Sequence, residues 1–278
     1  MKRLILIFSI LTIFTQPSFA WSWNYWNNEE YAVEKLLKAQ VKYANKANYN
    51  KFINTYDPKY INGDGFNLDV YSKLIKDIWS TYNNIKYDIE IKDVKINGNK
   101  AIADIVETSY AKLPMSNTYN GELKSVANTT YYLEKKDNKW KVVSDKVLDE
   151  QTSMLYGQAK DLKVQLSAPN EIEANKEYCA TLEFIPPTDT IAIASISSDI
   201  VEYPQKPTQE VFRAMPEDNI LERLFTSNNQ NANEYIVASI GLTQTAVCDL
   251  NIKLSLTGFG YIIKRVNVIP AENGENND

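Results

Sequence analysis

Two acids set among apolar residues carry the strongest chemical signal in this sequence. Asp104 lies between Ile102 and Val106, and Asp145 between Val143 and Val147, where apolar residues recur with a period of two. A carboxyl group on an apolar strand face loses hydration. Its pKa then rises, and it can serve as a base near neutrality. The commoner arrangement is blander: a solvent-side or strand-edge carboxylate paired with a lysine. Around these acids the chain supplies Tyr49, Trp79, Tyr82, Tyr110 and Tyr131. Such side chains give a pocket an apolar wall with hydrogen-bonding tips, although Trp79 and Tyr82 at helical spacing also read as core. These seven residues form the candidate pocket lining.

Other chemistry is excluded by absence. The chain has no histidine, so a Ser-His-Asp or Cys-His relay and a histidine-ligated metal are out. The arginines are Arg3, Arg213, Arg223 and Arg265, and none falls within 21–161. A pocket built from that stretch lacks a bidentate clamp for carboxylate or phosphate, so its ligand is expected to be neutral or apolar. Asn62, Asp64, Asn67 and Asp69 offer oxygens without the spacing of a calcium loop and read as a turn with a helix cap. There is no phosphate loop, dinucleotide fingerprint, nucleophile elbow or zinc motif. No cofactor, metal or catalytic residue is assigned. A net charge of −5 with so little arginine argues against nucleic acid.

Lys2 and Arg3, the apolar run Leu4 to Phe14, and Ser18-Phe19-Ala20 have the form of a cleaved secretory signal over 1–20. The mature chain is then expected to be periplasmic or extracellular, with no stable membrane insertion. Cys179 and Cys248 suit such a compartment and could form a disulfide. Their strand parity disagrees, because Cys248 aligns with an apolar face and Cys179 with Thr181 and Glu183. Two separate thiols are the alternative.

The elements that must position these residues divide into two sets. Residues 21–161 carry a net charge of +1 and all five tryptophans, whereas 162–278 carry −8 and both cysteines. Two domains are expected, 21–161 and 162–271, followed by an acidic tail over 272–278. In the first, Val33, Leu36, Leu37, Val41 and Ala44 mark a helix over 29–47, with Asn28 as its N-cap. Trp21, Trp23 and Trp26 lie ahead of it, either packed across it or forming a contact surface. A short helix over 49–56 and another from Leu68 to Tyr82 follow. Four strands come next, with a bulge near Asp93 and a hairpin at Asn97-Gly98.

This order is an α+β domain, a cone-shaped curved antiparallel sheet packed on helices. The opening helix, Tyr56-Asp57-Pro58-Lys59-Tyr60-Ile61, the Asp64-Gly65 turn, the Leu68–Trp79 helix and Lys139-Trp140-Lys141-Val142-Val143 resemble a nuclear transport factor 2-like, or SnoaL-like, domain over about 28–155. The resemblance implies a cone with an apolar pocket at its open end. It brings no catalytic residues, since dehydratases of that fold rely on histidine.

Short proline-punctuated strands in the second half read as an all-β antiparallel sandwich of no recognised family. Val211 to Phe225 is expected to form a helical crossover. The combined reading is a secreted binding or scaffolding protein, not an enzyme. Its partner is a neutral small molecule or a cell-envelope protein, with a homodimer through the first domain's sheet as a further expectation. The alternative is a histidine-independent isomerase, dehydratase or cyclase using a carboxylate and tyrosines. In a third reading the sandwich is an adhesive module for envelope partners.

Overall fold

A computed structural model describes residues 20–114, 119–206, 209–248 and 251–271; for 20–27, 114, 246–248 and 251–252 it describes the backbone alone. Residues 1–19 of the expected signal, the tail 272–278 and the side chains of Trp21, Trp23, Trp26 and Cys248 fall outside these limits. No helix among the described residues is long and apolar enough to cross a membrane.

Helix α1 (Ala20–Ala44) begins eight residues ahead of the expected cap at Asn28. Glu29 is therefore not a first-turn acid. It accepts from Lys135 Nζ at 2.6 Å and from buried Trp140 Nε1 at 2.9 Å, pinning the helix to the sheet. Lys135 holds the Glu29 carboxyl below its usual range against the opposing effect of burial. Val33, Leu37 and Ala44 point inward at helical spacing. Helix α2 (Tyr49–Ile53) is capped by Asn48, whose Oδ1 accepts from Lys51 N at 3.3 Å. Helix α3 (Leu68–Thr81) is capped in the same way by Asn67, which accepts from Val70 N at 3.0 Å.

Strands β1 (Lys86–Asn97), β2 (Lys100–Pro114), β3 (Asn120–Lys136) and β4 (Lys139–Gly157) form an antiparallel meander. The bulge near Asp93 and the turn at Asn97-Gly98 are both present. Two further bulges interrupt β4, where Leu148 and Val143 are the extra residues opposite β3. Bulges bend a strand and increase its twist, which curves the sheet around α1 and α3.

Beyond a 3-10 turn over Gln158–Asp161 come β5 (Gln165–Ser167), β6 (Glu171–Glu173), β7 (Glu177–Glu183) and β8 (Thr190–Ile200). These are followed by β9 (Arg213–Ala214), β10 (Ile220–Thr226), β11 (Glu234–Cys248) and β12 (Asn251–Ile269). One sheet runs β1-β2-β3-β4-β12-β11-β8-β9, with β6 parallel to β12, and a second runs β10-β7-β5. The two sheets enclose a core that includes Tyr178, Leu182, Phe184, Ile196, Ile236 and Ile262. Strand β12 pairs with β4 from Gly258↔Gly157 to Lys264↔Gln151, so one hydrogen-bonded sheet spans the composition change at Asp161. The strands cross closely there, and a Cβ on Gly258 would lie 2.6 Å from Ala159 N.

The expected helix over Val211 to Phe225 is absent. Asn219, at φ +63°, turns the chain after Pro216, and residues 220–226 pair in register with β7. Leu221 and Phe225 pack onto the sandwich core. An apolar run this short fits either periodicity, and the open edge of β7 decides the outcome by satisfying its backbone groups.

Candidate functional site

The cavity between the concave sheet and the helices has a volume of about 420 Å³. Its helical wall is mostly apolar, with Leu37 and Val41 from α1 and Leu74, Ile78 and Trp79 from α3, beside Gln40 and Tyr71. Trp79 packs edge-on against Phe52 at 5.4 Å between centroids and donates from Nε1 to Tyr87 OH at 3.1 Å. Val201 lines the rim, and the Tyr203 hydroxyl donates to Asp77, tying its loop to α3.

The floor follows from strand register. Glu107, Ala127 and Glu150 are opposite one another on β2, β3 and β4. Two residues along β2 and β3 come Ile105, Thr129 and Val147, and then Ala103, Tyr131 and Asp145. The bulge at Leu148 allows Asp145 and Glu150 to line the same cavity despite their odd separation. Tyr131 OH and Thr129 Oγ1 donate to Glu107 at 2.9 and 3.0 Å. Tyr60 donates to Asp145 Oδ2, and Tyr235 donates to Glu150 at 3.3 Å. Tyr56 and Tyr71 meet hydroxyl to hydroxyl at 3.1 Å.

Burial dominates the protonation of this floor. It pushes Asp145 up to about 7, aided by the charges of Glu107 and Asp64; the Tyr60 hydrogen bond and Arg265 oppose it. Burial also raises Glu107, with help from Glu150 and against Tyr131 and Thr129. Glu150 is raised by burial against Arg265, Tyr235 and Thr152. Burial drives Tyr56, Tyr71 and Tyr131 well above the phenol range, so they remain donors. A carboxyl group poised near neutrality beside such donors can hold a polar group or exchange a proton with it.

Of the candidate residues, Trp79, Tyr82, Tyr131 and Asp145 line the cavity. Asp104 does not: it faces the other side of β2 and accepts from Thr130 Oγ1 at 2.6 Å. Tyr110 shares that outer side and is 39% exposed. Tyr49 lies outside the cavity, with the Lys76 ammonium 4.2 Å from its ring centroid. The inner face of β2 is Ala101, Ala103 and Ile105, which pack in one core with Val33 and Leu37 of α1. Small residues on the packed face and larger ones outside invert the usual parity signal.

The expectation of an arginine-free cavity is also corrected. Arg265, on β12, lines it and is bidentate on Asp64, with Nη1 to Oδ2 at 3.2 Å. Burial would lower the Arg265 pKa, but Asp64 holds it up. Glu107, Glu150, Asp64, Tyr235 and Arg265 also line the cavity and are not among the seven candidates; the sequence places Asp64 only in a turn. An arginine set with Lys264 and Asn267 among the apolar residues of Tyr261 to Ile269 is the available signal for Arg265. Cys179 is an exposed free thiol, and the side chain of its proposed partner, Cys248, lies outside the described residues.

No family model matches the chain, and no curated protein does. Several solved structures are similar at low identity. Bd1075 of Bdellovibrio bacteriovorus is 13% identical over 41% of this chain and 38% of its own, with a TM-score of 0.35. A type 2 hexachlorocyclohexane dehydrochlorinase, LinA, is 13% identical over 43% of this chain and 84% of its own, at 0.36. An NTF2-like protein of unknown function from Pseudomonas putida KT2440 is 10% identical over 44% and 86%, at 0.32. The structural neighbours thus include nuclear transport factor 2-like proteins, over about 40% of the chain.

Proposed function

We propose that this protein binds a small molecule with an apolar body and one polar end, and that binding, not catalysis, is its role. One observation carries the reading: a mostly apolar helical wall faces a carboxyl- and tyrosine-bearing floor across about 420 Å³. That volume is within the range of small-molecule sites. We further propose that the protein acts in the periplasm or outside the cell after losing 1–20; N-terminal sequencing of exported protein should begin at Trp21. Ile102, Tyr110, Tyr132 and Leu148 are exposed large hydrophobics on the first half of the sheet. They favour a homodimer through that sheet, which sedimentation of a Tyr132→Lys variant would test.

The second reading is a proton-transfer enzyme with Asp145 as base and tyrosines as donors. It is favoured by the position of Asp145 near 7. A thermal-shift screen of ring-containing small molecules tests the binding reading. A ligand at 100 times its dissociation constant stabilises by about 2.7 kcal/mol. An Ala127→Phe variant, which fills the floor, should lose the response. A screen with no stabilising compound would remove the small-molecule reading. Turnover of a bound compound that Asp145→Asn abolishes would establish the second.

A further inference from the structure

The cavity is lopsided in charge. Asp64, Asp88, Glu107, Asp145 and Glu150 line it, and Arg265 is the one base among its described lining residues. None of the 20 lysines of 21–161 reaches it. Arg265 is already engaged. It is 2% exposed, bidentate on Asp64, and donates from Nε to Asn267 Oδ1 at 2.8 Å. Glu107, Asp145 and Glu150 have no ion-pair partner among the described residues, and their hydrogen bonds come from hydroxyl groups. Asp145 is 7% exposed, yet its Oδ1 accepts no hydrogen bond among the described residues. It is an acceptor in the lining of a cavity whose helical side offers Leu74, Ile78 and Trp79.

Buried acids without a counter-charge are costly unless a proton or a cation matches them. We infer that the ligand is a cationic amine: a protonated amine on a ring-containing apolar body, its ammonium donating to Asp145 Oδ1 and its body lying against Leu74, Ile78 and Trp79. Glu107 and Glu150 act from greater range. They flank Ala127 in register and stand about 10 Å apart at their Cα atoms, two strand spacings. That separation suits a diffuse negative potential and not a metal cage, and no acidic group of three among the described residues is placed to hold a metal ion. An ammonium has three donors and no acceptor, which suits carboxylates that lack a counter-charge. The inference rests on the small-molecule reading above.

The test compares three probes of one shape at pH 8 by calorimetry on the full chain: 1-(aminomethyl)naphthalene, 1-naphthalenemethanol and 1-naphthaleneacetic acid. The amine is expected to bind at least tenfold tighter than the alcohol, and the acid not measurably. Asp145→Asn should weaken the amine at least tenfold and the alcohol by a clearly smaller factor. Glu107→Gln, which leaves Asp145 in place, should weaken the amine by a smaller factor. An alcohol that binds as tightly as the amine would overturn the cationic ligand and leave the small-molecule reading standing. No binding by any probe would overturn both.

Discussion

Asp64, on the turn ahead of α3, and Arg265, 201 residues later on β12, form a bidentate ion pair at the cavity wall. Asn233 adds a donation to Asp64 Oδ1 at 2.7 Å. The pair joins the helical layer to the last strand, so the cavity is finished by a residue outside the stretch that builds most of it. Removing one partner leaves the other charge buried. Arg265→Met is therefore expected to cost about 3–5 kcal/mol. The double variant with Asp64→Asn should recover part of that loss. Arg265→Lys cannot reproduce the planar fork and should also destabilise. Denaturant midpoints for the four proteins check this, and a double variant weaker than Arg265→Met would contradict it.

Protonation of the floor makes stability fall as pH rises. Asp145 has its pKa raised from 3.8 to about 7 in the folded chain. Its contribution is complete below about 4 and disappears as pH climbs through 7. The loss is about 4 kcal/mol in full, at roughly 1.4 kcal/mol per pKa unit. Tyr60, Asp64, Glu107 and Arg265 face this carboxyl, and Glu107 and Glu150 shift in the same direction. Asp145→Asn should flatten the slope and be more stable than wild type at pH 8. Melting curves at pH 5 and pH 8 decide, and a wild type more stable at pH 8 would contradict the electrostatics.

At the junction of β4 and β12, Gly258→Ala would place a methyl group 2.6 Å from Ala159 N, 2.9 Å from Gln158 N and 3.0 Å from Tyr156 O. All three are backbone atoms, which cannot rotate away. The expected cost is about 1–3 kcal/mol. A variant with an unchanged melting temperature would show that the two strands can separate without loss.

The Cys179 thiol is exposed and free. A maleimide should label it in the native protein, and Cys179→Ser should alter stability by less than about 0.5 kcal/mol. Resistance to labelling until a reductant is added would indicate a bridge.

Much of the frame was legible in sequence because local chemistry dictates it. Asn67 caps α3, Asn97-Gly98 turns the first hairpin, and the parity change at Asp93 marks a bulge. The floor was harder to read. Both faces of β2 carry apolar residues, so alternation chose the side of Ile102 and Val106 and promoted Asp104. The wall is set instead by Ala101 and Ala103, small enough to lie under α1. Asp145 was found because Val147 shares its side; Glu150 was missed because the bulge at Leu148 reverses parity between them. Arg265 belongs to a strand whose place beside β4 depends on long-range pairing, which no local pattern encodes.

The central claim is that the space between α3 and the β2-β3-β4 floor is a ligand site. Crystals soaked with a ring-brominated 1-(aminomethyl)naphthalene test it most directly, through the anomalous signal of bromine. The account predicts one strong peak inside the cavity, between Trp79 and Ala127, that disappears in Ala127→Phe. Bromine found only on the outer surface, with the cavity unoccupied at saturating probe, would contradict it.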